Sequence, residues 1–266
     1  MKRFVLALLL SALPVCLALP GCRKDVPPTV GGDAGGSVSD EVALDPKWPT
    51  IRLNGELMSV RWSDGDSFKF KSGRYEGKGV RLTGYNTLES YGPVHRWGTW
   101  TGVELYRIAK SSWKLGASST WSCTTDEELD HYGRVLVDCP DAALHLVGEG
   151  HAFVFGLDAS PDGALMRAQR VAMKKGVGIW AKGAPKQVIS SLHSADEGEG
   201  GLSETYNRVV DTATGESTQA RHKSTYATCQ EVCLGGDTGS CMVYVPFSNR
   251  YKNKADCLYV TEKGVN

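Results

Sequence analysis

Two short runs constrain what this chain can fold into. Val60, Trp62, Phe68 and Phe70 place apolar side chains at alternate positions on either side of Asp64-Gly65-Asp66. Period-two alternation broken by a turn tripeptide predicts two strands joined by a polar turn, with one face buried. In the second run, Val80 and Leu82 point one way and Arg81 the other, because side chains alternate across a strand. Gly84 interrupts this run, as at a bulge or a close backbone approach. Asp66, Asn86 and Glu89 then fall at strand ends beside a fixed cation, Arg81. Such groups serve as bases or oxygen ligands, and an all-oxygen set suits a hard ion such as Ca²⁺ rather than zinc. An isolated Asp-Gly-Asp is also the composition of an ordinary surface turn.

Further blocks narrow the reading. Asp64-Gly65-Asp66-Ser67 is followed by Arg81-Leu82, then Asn86, Thr87 and Glu89. Next come Asp130-His131-Tyr132-Gly133-Arg134-Val135-Leu136 and Gly178-Ile179-Trp180. Their order and spacing resemble the staphylococcal-nuclease (thermonuclease-like) family over about residues 48–184. The family usually carries Asp where this chain has Asn86 and Pro where it has Leu88.

That resemblance implies a set of roles. Glu89 is the general base, and Arg81 and Arg134 clamp the phosphate. Asp66, Asn86 and the Thr87 carbonyl hold Ca²⁺, Asp64 stands behind them as a further carboxylate, and Tyr132 hydrogen-bonds a phosphate oxygen. The implied activity is hydrolysis of DNA or RNA with little sequence preference, leaving 3′-phosphates. Asn86 in place of Asp removes one negative charge from the ion site. The competing expectation is a lipid-anchored barrel that binds nucleic acid or envelope polymer without cutting it.

The rest of the chain frames this stretch. Met1-Lys2-Arg3 and the apolar run from Phe4 to Leu19 predict a signal peptide over 1–21. The run ends in Leu19-Pro20-Gly21-Cys22, similar to a bacterial lipobox, so Cys22 is the expected lipidation site. The expected location is therefore the cell-envelope membrane, with free secretion as the alternative. Residues 22–46, carrying paired Pro and Gly and no aromatic until Trp48, predict a flexible tether. Formal net charge is zero, which argues against a general polyanion binder, but residues 47–186 carry an excess of four positive charges between acidic flanks.

Within 47–186 the pattern predicts an α+β domain: a five-stranded Greek-key barrel of the OB type with about three helices. Residues 48–71 should form two antiparallel strands. Helices are expected over Thr101–Lys114, after Asp141 as N-cap, and from Ser160-Pro161 to Lys175, where Gly176 stops the last. His95 and Arg96 read as solvated loop residues, with substrate contact as the alternative. Phe153 and Phe155 read as core, with base stacking as the alternative. Cys123 and Cys139 flank a turn and predict a cross-strand disulfide in an oxidising compartment.

Residues 187–204 read as a linker and 205–266 as a separate small module. Its four cysteines, Cys229, Cys233, Cys241 and Cys257, predict two disulfides of open pairing rather than a zinc site. Tyr206–Val210 and Thr214-Gly215-Glu216 predict a hairpin in that module. Tyr244, Phe247, Arg250, Tyr251, Lys252 and Lys254 combine aromatic and basic character suited to nucleic acid or cell-wall polymer, or else to a bridge-held core. The expected partners are the nucleic-acid substrate and the membrane, with the protein a monomer.

Overall fold

Asn54-Gly55 makes the first turn of the fold. Both residues have positive φ (48° and 89°), the conformation that two-residue hairpins require. They join β1 (Thr50–Leu53) to β2 (Glu56–Trp62), and the Asp-Gly-Asp turn then leads into β3 (Ser67–Phe70). Residues 48–71 therefore hold three strands rather than two. The Asn-Gly signal was legible in the sequence, but the alternation downstream of it drew the reading instead. This computed structural model describes residues 44–157, 160–198 and 201–251, together with Cys257. The expected signal peptide, Cys22 and the tether up to residue 43 lie outside the described residues.

β4 (Gly79–Leu82) pairs antiparallel with β3, and β8 (Val135–Val137) pairs parallel with β4. On the other edge β7 (Trp121–Cys123) runs parallel to β1. The result is a six-stranded sheet in the order β7-β1-β2-β3-β4-β8. Its two edges approach each other: Thr124 and Asp138 exchange both backbone hydrogen bonds (2.8 and 2.9 Å). The Cys123–Cys139 disulfide lies immediately beside that bridge. The sheet is thus nearly closed and barrel-like, with Ile51, Val60, Phe68, Phe70, Val80 and Val137 fully enclosed.

Two further short strands, β5 (Tyr85–Thr87) and β9 (Ala152–Val154), form a separate antiparallel pair. Phe153 on β9 is fully buried, so it belongs to the core and stacks on no substrate. Three α-helices complete this part. α1 (Gly102–Gly116) opens with a Thr101–Glu104 capping box, which satisfies backbone donors at both ends of the cap. α2 (Pro140–Gly148) starts two residues earlier than the sequence predicts, with Cys139 rather than Asp141 at the N-cap and Pro140 at the first position. α3 (Gly163–Lys175) is capped by Asp162, whose carboxylate accepts from the Ala164 and Leu165 amides, and Gly176 ends it at φ 62°. Asp162 outcompetes Ser160 because it stands directly before the first helical residue.

The C-terminal part corrects the expectation of a linker and a separate module. Residues 187–191 are not linker but β10 (Gln187–Ser191), which pairs with β11 (Thr205–Asp211). β11 makes the predicted hairpin with β12 (Ser217–His222). Val188 on β10 and Val210 on β11 are buried in one apolar cluster with Leu88, Trp97, Leu105 and Phe153. β13 (Glu231–Leu234) pairs with β14 (Ser240–Val243), and β14 pairs in turn with β6 (Val94–Arg96). Burial of Val188 and Val210 favours this arrangement by roughly 1.5–3 kcal/mol each, more than a Ser- and Gly-rich composition opposes. Disulfides Cys229–Cys257 and Cys233–Cys241 fix the last segment. The carboxylate of Glu231 lies within 4.8 Å of the Cys233 and Cys241 sulfurs, but those sulfurs are spent on each other and offer no thiolate to a metal. No helix among the described residues is long and apolar enough to cross a membrane.

Candidate active site

The Asp64–Ser67 turn is built around the Asp64 carboxylate. Its Oδ1 accepts from Ser67 Oγ (2.6 Å) and from the Asp66 amide (3.2 Å). Gly65 is required by space: a Cβ there would lie 2.6 Å from Thr87 Cγ2 and 3.0 Å from Ser112 Cβ. This close approach brings the turn against β5 and aims Asp66 at Thr87. Asp66 Oδ2 accepts from the Thr87 amide (2.7 Å) and the Thr87 hydroxyl (3.0 Å).

Strand register brings Arg81 to the same point. Ser67 stands opposite Arg81, so the residue before Ser67 lies within reach of the guanidinium. Arg81 Nη1 pairs with Asp66 Oδ1 at 2.5 Å. Its Nη2 donates to Asn86 Oδ1 (2.6 Å) and to the Tyr85 carbonyl (3.1 Å). Arg81 thus links Asp66 to Asn86, and Asp66 holds Thr87; Arg81, expected to clamp a phosphate, faces inward onto its neighbours.

Charge in this cluster is unevenly compensated. Burial would raise the Asp66 carboxyl, but the charge and hydrogen bond of Arg81 and the Thr87 amide hold it below its ordinary value. Asp64 is pushed up to about 8 by burial, and then by the Asp66 charge beside it. Glu89 is pushed up to about 7 by burial and by Asp66, against Arg250, Arg81 and Arg134. Three carboxylates thus share a site in which Arg81 neutralises only one directly. The donors are oxygens alone, the kind a hard divalent cation takes. The three carboxylates do not, however, bring their oxygens within 4.8 Å of one another, and Arg81 engages the Asp66 and Asn86 oxygens. Thr87 acts here through its amide and hydroxyl, both of which orient Asp66.

Arg134 comes from the other side. Val80 stands opposite Val135, so Arg134 lies beside Gly79, at the end of β4 away from Asp66. Its Nε and Nη2 both bond Asp130 Oδ2 at 2.7 Å, and Asp130 Oδ1 accepts the Tyr132 and Arg134 amides at 2.9 Å. The guanidinium stands 5.6 Å from the Tyr132 ring, and its side chain remains 37 % exposed. Arg134 and Tyr132 touch none of the Asp66 group, although the field of Arg134 reaches Glu89.

Sequence reasoning missed the residues that hold Glu89. His95 is neither solvated nor free for substrate: it lies on β6, opposite Met242 of β14, and is 2 % exposed. Its Nε2 accepts the Glu89 amide at 3.2 Å, so the ring proton belongs on Nδ1. Burial lowers its pKa to about 3, keeping it neutral. Arg96, next along the strand, is the exposed partner of Glu231, with Nε 2.7 Å from Oε1.

The C-terminal segment also reaches the site. A Cβ on Gly92 would lie 3.1 Å from Arg250 Cγ, and the Tyr91 and Tyr251 rings are 6.1 Å apart. Arg250 is held by the Val245 (3.0 Å) and Leu192 (2.8 Å) carbonyls. Of the aromatic-basic group at the C-terminus, Tyr244 is core, Phe247 and Tyr251 are exposed, and Lys252 and Lys254 lie outside the described residues. The local signal was there in the sequence, but its position against Gly92 follows only from the β14–β6 pairing.

No protein-family model matches the chain, and no curated protein matches it.

Proposed function

We propose that this chain hydrolyses phosphodiester bonds of DNA or RNA with little sequence preference, leaving 3′-phosphates, through a Ca²⁺-dependent site. The nearly closed sheet is read as a Greek-key barrel of the OB type, with the export and lipid anchoring at Cys22 that the N-terminal sequence implies. The observation that carries the reading is the contact set of Asp66, Arg81, Asn86 and Thr87, with Glu89 two residues beyond it.

In this reading Asp66, Asn86 and the Thr87 carbonyl would hold the ion, with Arg81 releasing the Asp66 and Asn86 oxygens that it otherwise engages. A bound Ca²⁺ neutralises charge at the phosphate as a Lewis acid. Glu89, with a pKa raised to about 7, suits proton abstraction from water near neutral pH. His95 fixes the Glu89 backbone through its amide. Arg81 holds Asp66 and Asn86 in register, so Arg134, the more exposed guanidinium, is the one placed to meet a phosphate.

A second reading is binding without cleavage. It is favoured by Asn86, whose amide oxygen adds no charge and is engaged by Arg81. The test is cleavage of single-stranded and duplex DNA by the mature soluble chain, in Ca²⁺ and in chelator, for wild type and Glu89→Gln. The hydrolytic reading requires Ca²⁺-dependent cleavage that Glu89→Gln reduces about a hundredfold or more. Binding with no cleavage in either condition selects the second reading.

A further inference from the structure

A cleft of ≈ 270 Å³ opens between the start of β1, the end of β2 and the outer face of α1. It is separate from the Asp66–Arg81 contacts but continuous with them along the chain. Ser63, on its wall, precedes Asp64, and Ser90, on the same wall, follows Glu89. The Tyr91 hydroxyl ties the two segments by donating to the Ser63 carbonyl at 3.3 Å.

The lining is aromatic and positive. Trp113 projects from α1 and is 42 % exposed, and Trp48 forms the opposite end of the wall. Lys47 and Lys71 stand 5.1 and 5.4 Å from the Trp48 ring. Lys110 lies 4.1 Å from the Tyr91 ring and donates to the Ser90 carbonyl. Arg61 is exposed and has no ion-pair partner among the described residues. No carboxylate among the described residues lines the cleft.

Two buried polar atoms on this wall have no hydrogen-bond partner among the described residues. These are Trp62 Nε1 and Ser90 Oγ, in residues only 7 % and 3 % exposed. A buried polar group without a partner is costly and calls for an explanation. These two atoms lie beneath the cleft surface, so the exposed Trp113 face and the Arg61 and Lys110 cations are the groups that stack on a base and draw its phosphate. At this volume the cleft lies just below the roughly 300–1,000 Å³ of sites that enclose drug-sized molecules, which leaves room for a single ring system. A base paired inside a duplex cannot enter such a cleft without leaving its stack.

We propose that this cleft seats an unpaired base of a single-stranded nucleic acid, with its phosphates drawn to Arg61 and Lys110. The proposal rests on the phosphodiesterase reading and refines its substrate to a strand that is locally unpaired beside the Glu89 loop.

The test uses the full chain carrying Glu89→Gln, in chelator, so that the probe survives. Fluorescence anisotropy follows binding of a labelled oligothymidylate, a duplex of equal length, and a strand of equal length made of abasic sites. Trp113→Ala and Arg61→Glu should each weaken oligothymidylate binding about tenfold or more. Leu202→Ala, at a position 74 % exposed and remote in sequence, is the control and should not. Circular dichroism melts establish that each variant is folded. The duplex and the abasic strand should bind more weakly than oligothymidylate and lose the dependence on Trp113. Equal affinity of wild type and Trp113→Ala, or equal binding of the abasic strand, overturns the proposal even if the chain cleaves DNA. Trp113-dependent binding, together with no cleavage by the chain that retains Glu89 in Ca²⁺, leaves the base seat standing and removes the hydrolytic reading instead.

Discussion

Burial of His95 makes a quantitative statement about acid stability. In the folded chain its pKa falls to about 3 from an ordinary 6.5, through burial alone. Between those values the unfolded chain binds a proton that the folded chain does not. Stability therefore rises with pH across this window and is lost as pH falls below 6.5. From pH 7.5 to 5.5 the loss assigned to this one side chain is about 1.4 kcal/mol, one pKa unit's worth. Asp64 and Glu89 act in the opposite sense, because their raised pKa values make the folded state the better proton binder as pH falls. The comparison must therefore be between wild type and His95→Gln, which keeps a carbonyl to accept the Glu89 amide but cannot titrate. Urea unfolding of both proteins at pH 7.5 and 5.5 gives the four numbers needed. Wild type should lose about 1.4 kcal/mol more than His95→Gln over that interval. Equal losses would refute the argument, and would mean that the imidazole takes up its proton in place, or that the β6–β14 ladder opens before it does.

Three further outcomes follow from the geometry. Asn86→Asp adds a carboxylate beside Asp66, so calorimetric Ca²⁺ affinity should rise about tenfold, or about 1.4 kcal/mol; unchanged affinity means that the ion does not meet residue 86. A chain ending at Lys186 loses Val188, Val210 and the strand that pairs with β6. At roughly 1.5–3 kcal/mol for each valine it should be destabilised by at least about 3 kcal/mol in urea, and a truncation as stable as the whole chain would show that the part up to Lys186 folds without the C-terminal strands. The double variant Cys123→Ser/Cys139→Ser opens a loop with a sequence separation of 16; a loss near 3 kcal/mol is expected, and an unchanged melting temperature would show that the Thr124–Asp138 bridge closes the sheet unaided.

Local pattern made much of the catalytic stretch readable. Alternation at Val60–Phe70 and Val80–Leu82 placed strands correctly because a one-residue slip would turn every apolar side chain outward. Gly176 after Lys175 marked the end of α3 because cap chemistry is local. The segregation of six cysteines into a pair and a group of four anticipated Cys123–Cys139 and two further disulfides in the last part, whose pairing the fold then set. The pairing of Ser67 with Arg81 across one hairpin edge is what brings Arg81 to Asp66.

What the tertiary structure decided lies in pairings between distant segments. β6 is three residues long, and Val94-His95-Arg96 carries no strong strand signal; it becomes a strand because β14, nearly 150 residues later, supplies its partner. That same pairing buries His95 and brings Arg250 against Gly92, so the environment of Glu89 is set by residues that no local reading links to it. Val188 follows the same logic: a short apolar stretch beside Ser and Gly reads as linker until its partner strand and the cluster that buries it are known. Sequence determined the elements whose stabilising contacts are local or periodic, and the tertiary structure determined those whose partners are far along the chain, because burial is a property of the folded whole.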